Sequence, residues 1–182
     1  MNKSLSKIIF KSLETNSDLN VIGKKINKEW KWTNKSDIRN LVINCKNMLD
    51  DYSIKKGDRV AYKGRNSIEW LCWNLAVNSK GAIWVPMYSD QNLDYCKHIT
   101  EDCKPKIMIT ESDVYNYNSE LRVPCIDNLI PNLNTNDDMN FDYHEISSLI
   151  YTSGTTGKPK GVMLSNESII ANIIINEFKI AF

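Results

Sequence analysis

The chain has 182 residues, 42% hydrophobic and 25% charged, enough to bury one sizeable core in an ordinary globular protein. A formal net charge of +1 offers no bulk electrostatic case for nucleic acid or an anionic membrane. Five cysteines without a C-x-x-C pair, and only two histidines, argue against a disulfide framework or zinc site and for reduced, mostly buried thiols in a cytosolic protein.

The N-terminal apolar run, Ile8 to Phe10, is too short for a signal-peptide core, and no window approaches a membrane-spanning length. Asn-x-Ser sequons at Asn2, Asn34 and Asn166 carry no weight without an export signal. Residues 1–35 are polar and weakly periodic, although "EWKWT" alternates as a short strand or edge hairpin does. From Ser36 the residues Ile38, Leu41, Val42, Cys45, Met48, Leu49 and Tyr52 fall on one helical face. "KKGD" is a turn and "RVAYKG" a strand. Asn66 with Glu69 makes an asparagine version of the capping box. The helix it opens is apolar on two sides, which predicts burial between layers. Lys80 and Gly81 close it. "AIWVPMY" is a strand. Residues 91–103 form a helix with Leu93, Cys96, Ile99 and Cys103 inward, and "PKIMIT" is a further strand. Residues 111–142 are asparagine-rich and read as a surface connection with one short strand, "RVPCI". "EISSLIY" and "GVMLS" are strands on either side of a loop. Ser165 or Asn166 then caps a last helix with Ile169, Ile170, Ile173, Ile174 and Phe178 apolar. Strands alternating with helices predict an α/β fold: a layered, mostly parallel sheet with flanking helices.

The chemistry concentrates in "YTSGTTGKPKGVML", residues 151–164. Hydroxyls, glycines and two lysines between strands can present N–H groups, O–H groups and ammonium charge to a polyanion. Composition alone leaves a plain, flexible polar loop as the alternative. The spacing excludes a Walker loop, because Gly157-Lys158 follows Gly154 after only two residues and a proline comes next. There is no G-x-G-x-x-G, and the exit reads as a strand, so a helix dipole is not the anion's main partner.

"YTSGTTGKPKGVMLSN" resembles the signature loop of the adenylate-forming superfamily of acyl-CoA synthetases, luciferases and peptide-synthetase adenylation domains. "KKGDRVAYKGRNSIEWLCWNLAVNSKGAIWVPMY" is similar to the family's N-terminal segment, with its G-D-x-V strand, N-S-x-E-W helix and G-A-x-x-V-P strand. "WKWT" resembles its early hairpin. The combination is most similar to fatty acyl-CoA synthetases. The resemblance implies that ATP and a carboxylate give an acyl adenylate and pyrophosphate, and that the acyl group passes to coenzyme A. Thr152, Ser153, Gly154, Thr155, Thr156 and Gly157 would wrap the β- and γ-phosphates. Lys160 would hold the leaving pyrophosphate or stiffen the loop, with Mg²⁺ sharing the charge. Lys158 stands at a variable position and is read as solvated. Asn166 replaces a common histidine and is expected to cap the helix instead.

Asp50-Asp51 and Asp137-Asp138 read as exposed loop carboxylates. Trp30, Trp32, Trp70, Trp73 and Trp84 read as core and hairpin packing. His98 and His144 read as structural or exposed. The resemblance implies that residues 1–182 are a partial AMP-binding domain, the N-terminal fragment of the large domain. The second glycine/threonine motif, the ribose-binding aspartate, most of the acyl pocket and the lid domain with its adenylation lysine are not in it. The missing portion is expected to cover the last helix. Two readings follow: part of an acyl-CoA synthetase, inactive alone, or a truncated nucleotide-binding or interaction module. A ligase for another carboxylate is a variant of the first. The expected location is cytoplasmic, with peripheral contact of the full-length protein with a membrane left open.

Overall fold

The computed structural model describes residues 4–110, 139–153 and 158–180. It opens with helix α1 (Leu5–Leu13), which buries Phe10 and Leu13 and is capped by Ser4. An antiparallel hairpin follows, β1 (Asn20–Ile26) with β2 (Glu29–Asn34). Its two-residue turn, Asn27-Lys28, has both φ angles positive, at 51° and 71°. That geometry matches the right-handed twist of a hairpin. "EWKWT" is therefore one arm of a hairpin. Neither α1 nor β1 stood out in the sequence, because short amphipathic stretches among lysines and asparagines give little periodic signal.

Helix α2 (Lys35–Asp51) is capped by Asn34, whose Oδ1 accepts from the Asp37 N–H at 2.8 Å. It buries the expected face, including Ile38, Val42, Cys45 and Leu49. Then come β3 (Arg59–Gly64), α3 (Ile68–Ser79), β4 (Ile83–Tyr88), α4 (Leu93–Cys103) and β5 (Ile107–Thr110). After residue 138 the order continues with β6 (Ile146–Ser153), β7 (Pro159–Ser165) and α5 (Asn166–Ile180). The strand "RVPCI" and the pair Asp137-Asp138 lie outside the described residues.

The main sheet has the order β5-β3-β4-β6-β7. It is parallel except for the last pair, β6 with β7. The chain steps from β3 to β4 through α3, then returns past β3 to β5 through α4. Right-handed crossovers in opposite directions put α3 and α4 on opposite faces. The side chains obey this. Val60, Tyr62, Trp84 and Ile109 pack with α2 and α3, whereas Ala61, Val85, Met87 and Met108 pack with α4. Trp73 and Trp84 are fully buried in the larger cluster. Truncating either to alanine costs about 3–5 kcal/mol.

Three sequence expectations change. Ser67, not Asn66, caps α3: its Oγ accepts from the Trp70 N–H at 3.2 Å. A serine one position later offers the same short oxygen, and the local pattern could not separate the two. Leu93, the first residue of α4, is 54% exposed. Cys96, Ile99 and Cys103 face inward as expected, and Thr100 joins them. Ser165 caps α5, accepting from the Ser168 N–H at 3.0 Å. Asn166 is buried and is used elsewhere. Its Oδ1 accepts from the Leu5 N–H at 3.1 Å and its Nδ2 donates to the His144 carbonyl at 3.0 Å. The C-terminus of α3 is as expected. Gly81 has φ +62°, and the Gly81 and Ala82 N–H groups return to Asn78 and Val77.

Candidate phosphate-binding site

The candidate loop joins β6 to β7. Their register sets Tyr151 opposite Gly161, Thr152 opposite Lys160 and Ser153 opposite Pro159. Directly opposed residues share a face with Cβ atoms roughly 5 Å apart. Leu149 and Tyr151 face the α4 side, where they pack on the Met87–Ile99 cluster. Alternation therefore turns Thr152 and Lys160 together to the other face, and both are exposed. A hydroxyl and an ammonium group thus stand side by side on the two strands that hold the loop. Gly154, Thr155, Thr156 and Gly157 lie outside the described residues, as does the side chain of Ser153; Lys158 is exposed.

Helix α4 braces both arms of this hairpin. The Tyr151 hydroxyl donates to the Asp102 carboxylate. One turn earlier, His98 Nε2 lies 3.0 Å from the Pro159 carbonyl oxygen, to which it donates in its Nε2–H form. Burial, and then the bond to Asp102, push the Tyr151 phenol above its ordinary range, so it stays a donor. Gly161 lies beneath this tyrosine. A Cβ there would stand 3.0 Å from Leu149 Cδ1 and 3.1 Å from Tyr151 Cζ. The bracing pair His98 and Asp102 was missed in the sequence. Their i, i+4 spacing was visible, but what they touch depends on the sheet order.

A cleft of about 360 Å³ opens beside the hairpin. Gly64, Trp70, Pro86, Tyr88, Tyr95 and Ile150 are among its walls. It lies at the carboxyl ends of β3, β4 and β6, next to the point where the crossover direction reverses between β3 and β4. Open α/β sheets bind ligands in such crevices.

The other candidates have structural work. Asp50 pairs with Lys46 at 3.1 Å and with Lys80, tying α2 to the end of α3. Burial pushes its carboxyl up, but the two ammonium groups more than offset this and hold it below the ordinary value. His144 Nδ1 accepts from the Ile146 N–H at 3.0 Å, fixing the entry to β6. Cys45, Cys72, Cys96 and Cys103 are buried free thiols. Burial pushes Cys72 up to about 12 and Cys103 up to about 11, so neither is a ready nucleophile. Trp70 packs edge-on to Trp84 at 5.8 Å, and Trp30 stacks on Trp32 at 5.9 Å.

A family profile described as "AMP-binding enzyme" matches residues 12–180. The chain belongs to the AMP-binding enzyme family. Members of this family are ATP-dependent ligases. Long chain acyl-CoA synthetase 3 of Arabidopsis thaliana is 28% identical over 171 residues, covering 76% of this chain and 26% of that protein. Enterobactin synthase component F of Escherichia coli O157:H7 is 29% identical over 143 residues, covering 76% of this chain and 11% of that protein. Among solved structures, a fatty acyl-adenylate ligase from L. pneumophila in complex with acyl adenylate and pyrophosphate superposes with a TM-score of 0.79. It is 20% identical and covers 93% of this chain and 31% of that one. The layered α/β fold is thus shared with an adenylate-forming ligase, and the chain spans well under half the length of these relatives.

Proposed function

We propose that this AMP-binding chain is the phosphate-clamping part of an acid–thiol ligase that activates a fatty acid with ATP and passes the acyl group to coenzyme A. The observation that carries the reading is the Thr152–Lys160 pair. It places a hydroxyl and a cation on one exposed face of the loop hairpin. Thr152 and the main chain orient the β- and γ-phosphates. Ser153, Gly154, Thr155, Thr156 and Gly157 complete the wrap. Lys160 stabilises the charge that builds on the departing pyrophosphate. Hydroxyls and ammonium are the donors of a phosphate cradle and not of a metal shell. Mg²⁺ would therefore be held mainly by the nucleotide's own phosphates, where it supplies charge neutralisation. The plant acyl-CoA synthetase and the Legionella ligase support a fatty acid as substrate. The buried thiols support a reducing, cytoplasmic location.

A second reading is activation of another carboxylate for a carrier-bound thiol, favoured by the likeness to enterobactin synthase component F. ATP–pyrophosphate exchange by the full-length protein with a panel of fatty, aryl and amino acids separates the two. Exchange driven by fatty acids, followed by thioester formation on coenzyme A, is expected. Exchange with aryl or amino acids alone sinks the fatty-acid reading, and exchange with no acid sinks the ligase reading. Residues 1–182 alone are expected to show none.

A further inference from the structure

We propose that the β1–β2 hairpin is a membrane-contact element that seats the protein on an anionic phospholipid surface. The hairpin projects from the body: from Lys24 to Trp32 every residue is exposed, on both faces. Trp30 and Trp32, at 60% and 55% exposure, stack on each other at 5.9 Å. Gly23 makes this possible, since a Cβ there would lie 3.1 Å from both rings. Val21 and Ile26 add exposed apolar surface on the same hairpin. Such large apolar groups on a small protruding element mark a contact surface.

The charge defines the partner. Residues 20–34 hold four lysines, 24, 25, 28 and 31, against Glu29, a net of +3 in a chain whose total is +1. The rest of the chain is therefore net negative, and the positive charge is local. Lys25, opposite Trp30, shares the tryptophans' face, and Lys28 stands in the turn at the tip; Lys24 and Lys31, paired across the hairpin, lie on the other face. Tryptophan settles at the bilayer interface while lysine extends to the phosphates. A protein partner fits less well, because interface cores are depleted in lysine. Single-stranded nucleic acid also fits less well: a hairpin exposed on both faces offers no basic groove to track its backbone. The inference stands apart from the ligase reading, and exchange activity has no bearing on it.

The test is cosedimentation of the protein with vesicles of phosphatidylcholine, alone or mixed with phosphatidylserine. It is read together with quenching of tryptophan emission by brominated acyl chains. Pelleting with the mixed vesicles only, reversed by salt, and quenching of the exposed tryptophans are expected. Lys25→Gln with Lys28→Gln keeps both tryptophans and is expected to weaken binding roughly 30-fold. Trp30→Ser with Trp32→Ser is expected to abolish pelleting. Three results overturn the proposal: no pelleting with either vesicle, equal pelleting with neutral vesicles, or pelleting unchanged by both double substitutions.

Discussion

Asp102 accepts a hydrogen bond from Tyr151, and through it helix α4 grips the strand that enters the candidate loop. His98, one turn earlier on the same helix, meets the strand that leaves it. Asp102→Ala and Tyr151→Phe each remove one half of the same tie. Each is expected to lower stability by about 1 kcal/mol. Because the two residues touch, their effects should not add, and a double-mutant cycle by chemical denaturation should give a coupling of about 0.5–1 kcal/mol. Additive losses would show that the bond contributes nothing.

Lys160→Ala in the full-length protein is expected to slow ATP–pyrophosphate exchange by roughly 10²–10³-fold. The melting temperature should stay near wild type, since Lys160 is exposed. Lys158→Ala should leave exchange within about twofold. Equal losses at the two positions would mean that general positive charge, and not the Thr152–Lys160 pairing, matters.

Gly161→Ala places a methyl group 3.0–3.1 Å from Leu149 and Tyr151. One of them must move. We expect a loss of about 1–3 kcal/mol in denaturant melts. Exchange should fall with it, because the displaced tyrosine is the one tied to Asp102. A variant as stable and as active as wild type would refute this packing.

Ser67→Ala is expected to cost about 1 kcal/mol through loss of the α3 cap, and Asn66→Ala much less. The reverse ranking in thermal unfolding would restore Asn66 as the cap.

Asp58 accepts from the Lys55 N–H at 2.7 Å and from Lys106 Nζ at 3.0 Å. Burial pushes its carboxyl up, but these partners outweigh burial and hold it below the ordinary value, as Lys80 and Lys46 do for Asp50. A carboxyl depressed in the folded chain stabilises it fully above about pH 4, and that contribution is lost as the pH falls lower. Melting temperature should therefore be level in this respect near neutrality and drop in acid. In Asp50→Asn and Asp58→Asn the acid drop should be shallower and the neutral value lower, by up to about 1 kcal/mol for such surface pairs.

Much of the sheet was legible because its strands and helices alternate in period. β3, α3 and β4 emerged close to their observed bounds from "RVAYKG", the apolar helix between Asn66 and Gly81, and "AIWVPMY". The antiparallel β6–β7 arms were readable too, since "EISSLIY" and "GVMLS" flank an obvious loop. What stayed hidden was of two kinds. Short elements among lysines, such as α1 and β1, carry too little apolar contrast. Roles set by contact across the fold were also silent. Nothing local tells Asn166 to bridge α1 and the β6 entry instead of capping α5, or His98 to reach Pro159. The net charge of +1 likewise concealed the basic hairpin, because a sum over the chain erases a local excess.

The glycine opposite Tyr151 has a further consequence for how the hairpin reads its own alignment. β6 and β7 could in principle slide by one residue, and a slide of one would carry Lys160 from Thr152's face to the face held by α4. Only one position on β7 lacks a side chain where the tyrosine ring lies. Slipped either way, the ring would meet the side chain of Lys160 or Val162. Gly161 thus works as an index mark: by fitting under Tyr151 in a single alignment, it decides on which side of the sheet the cation stands.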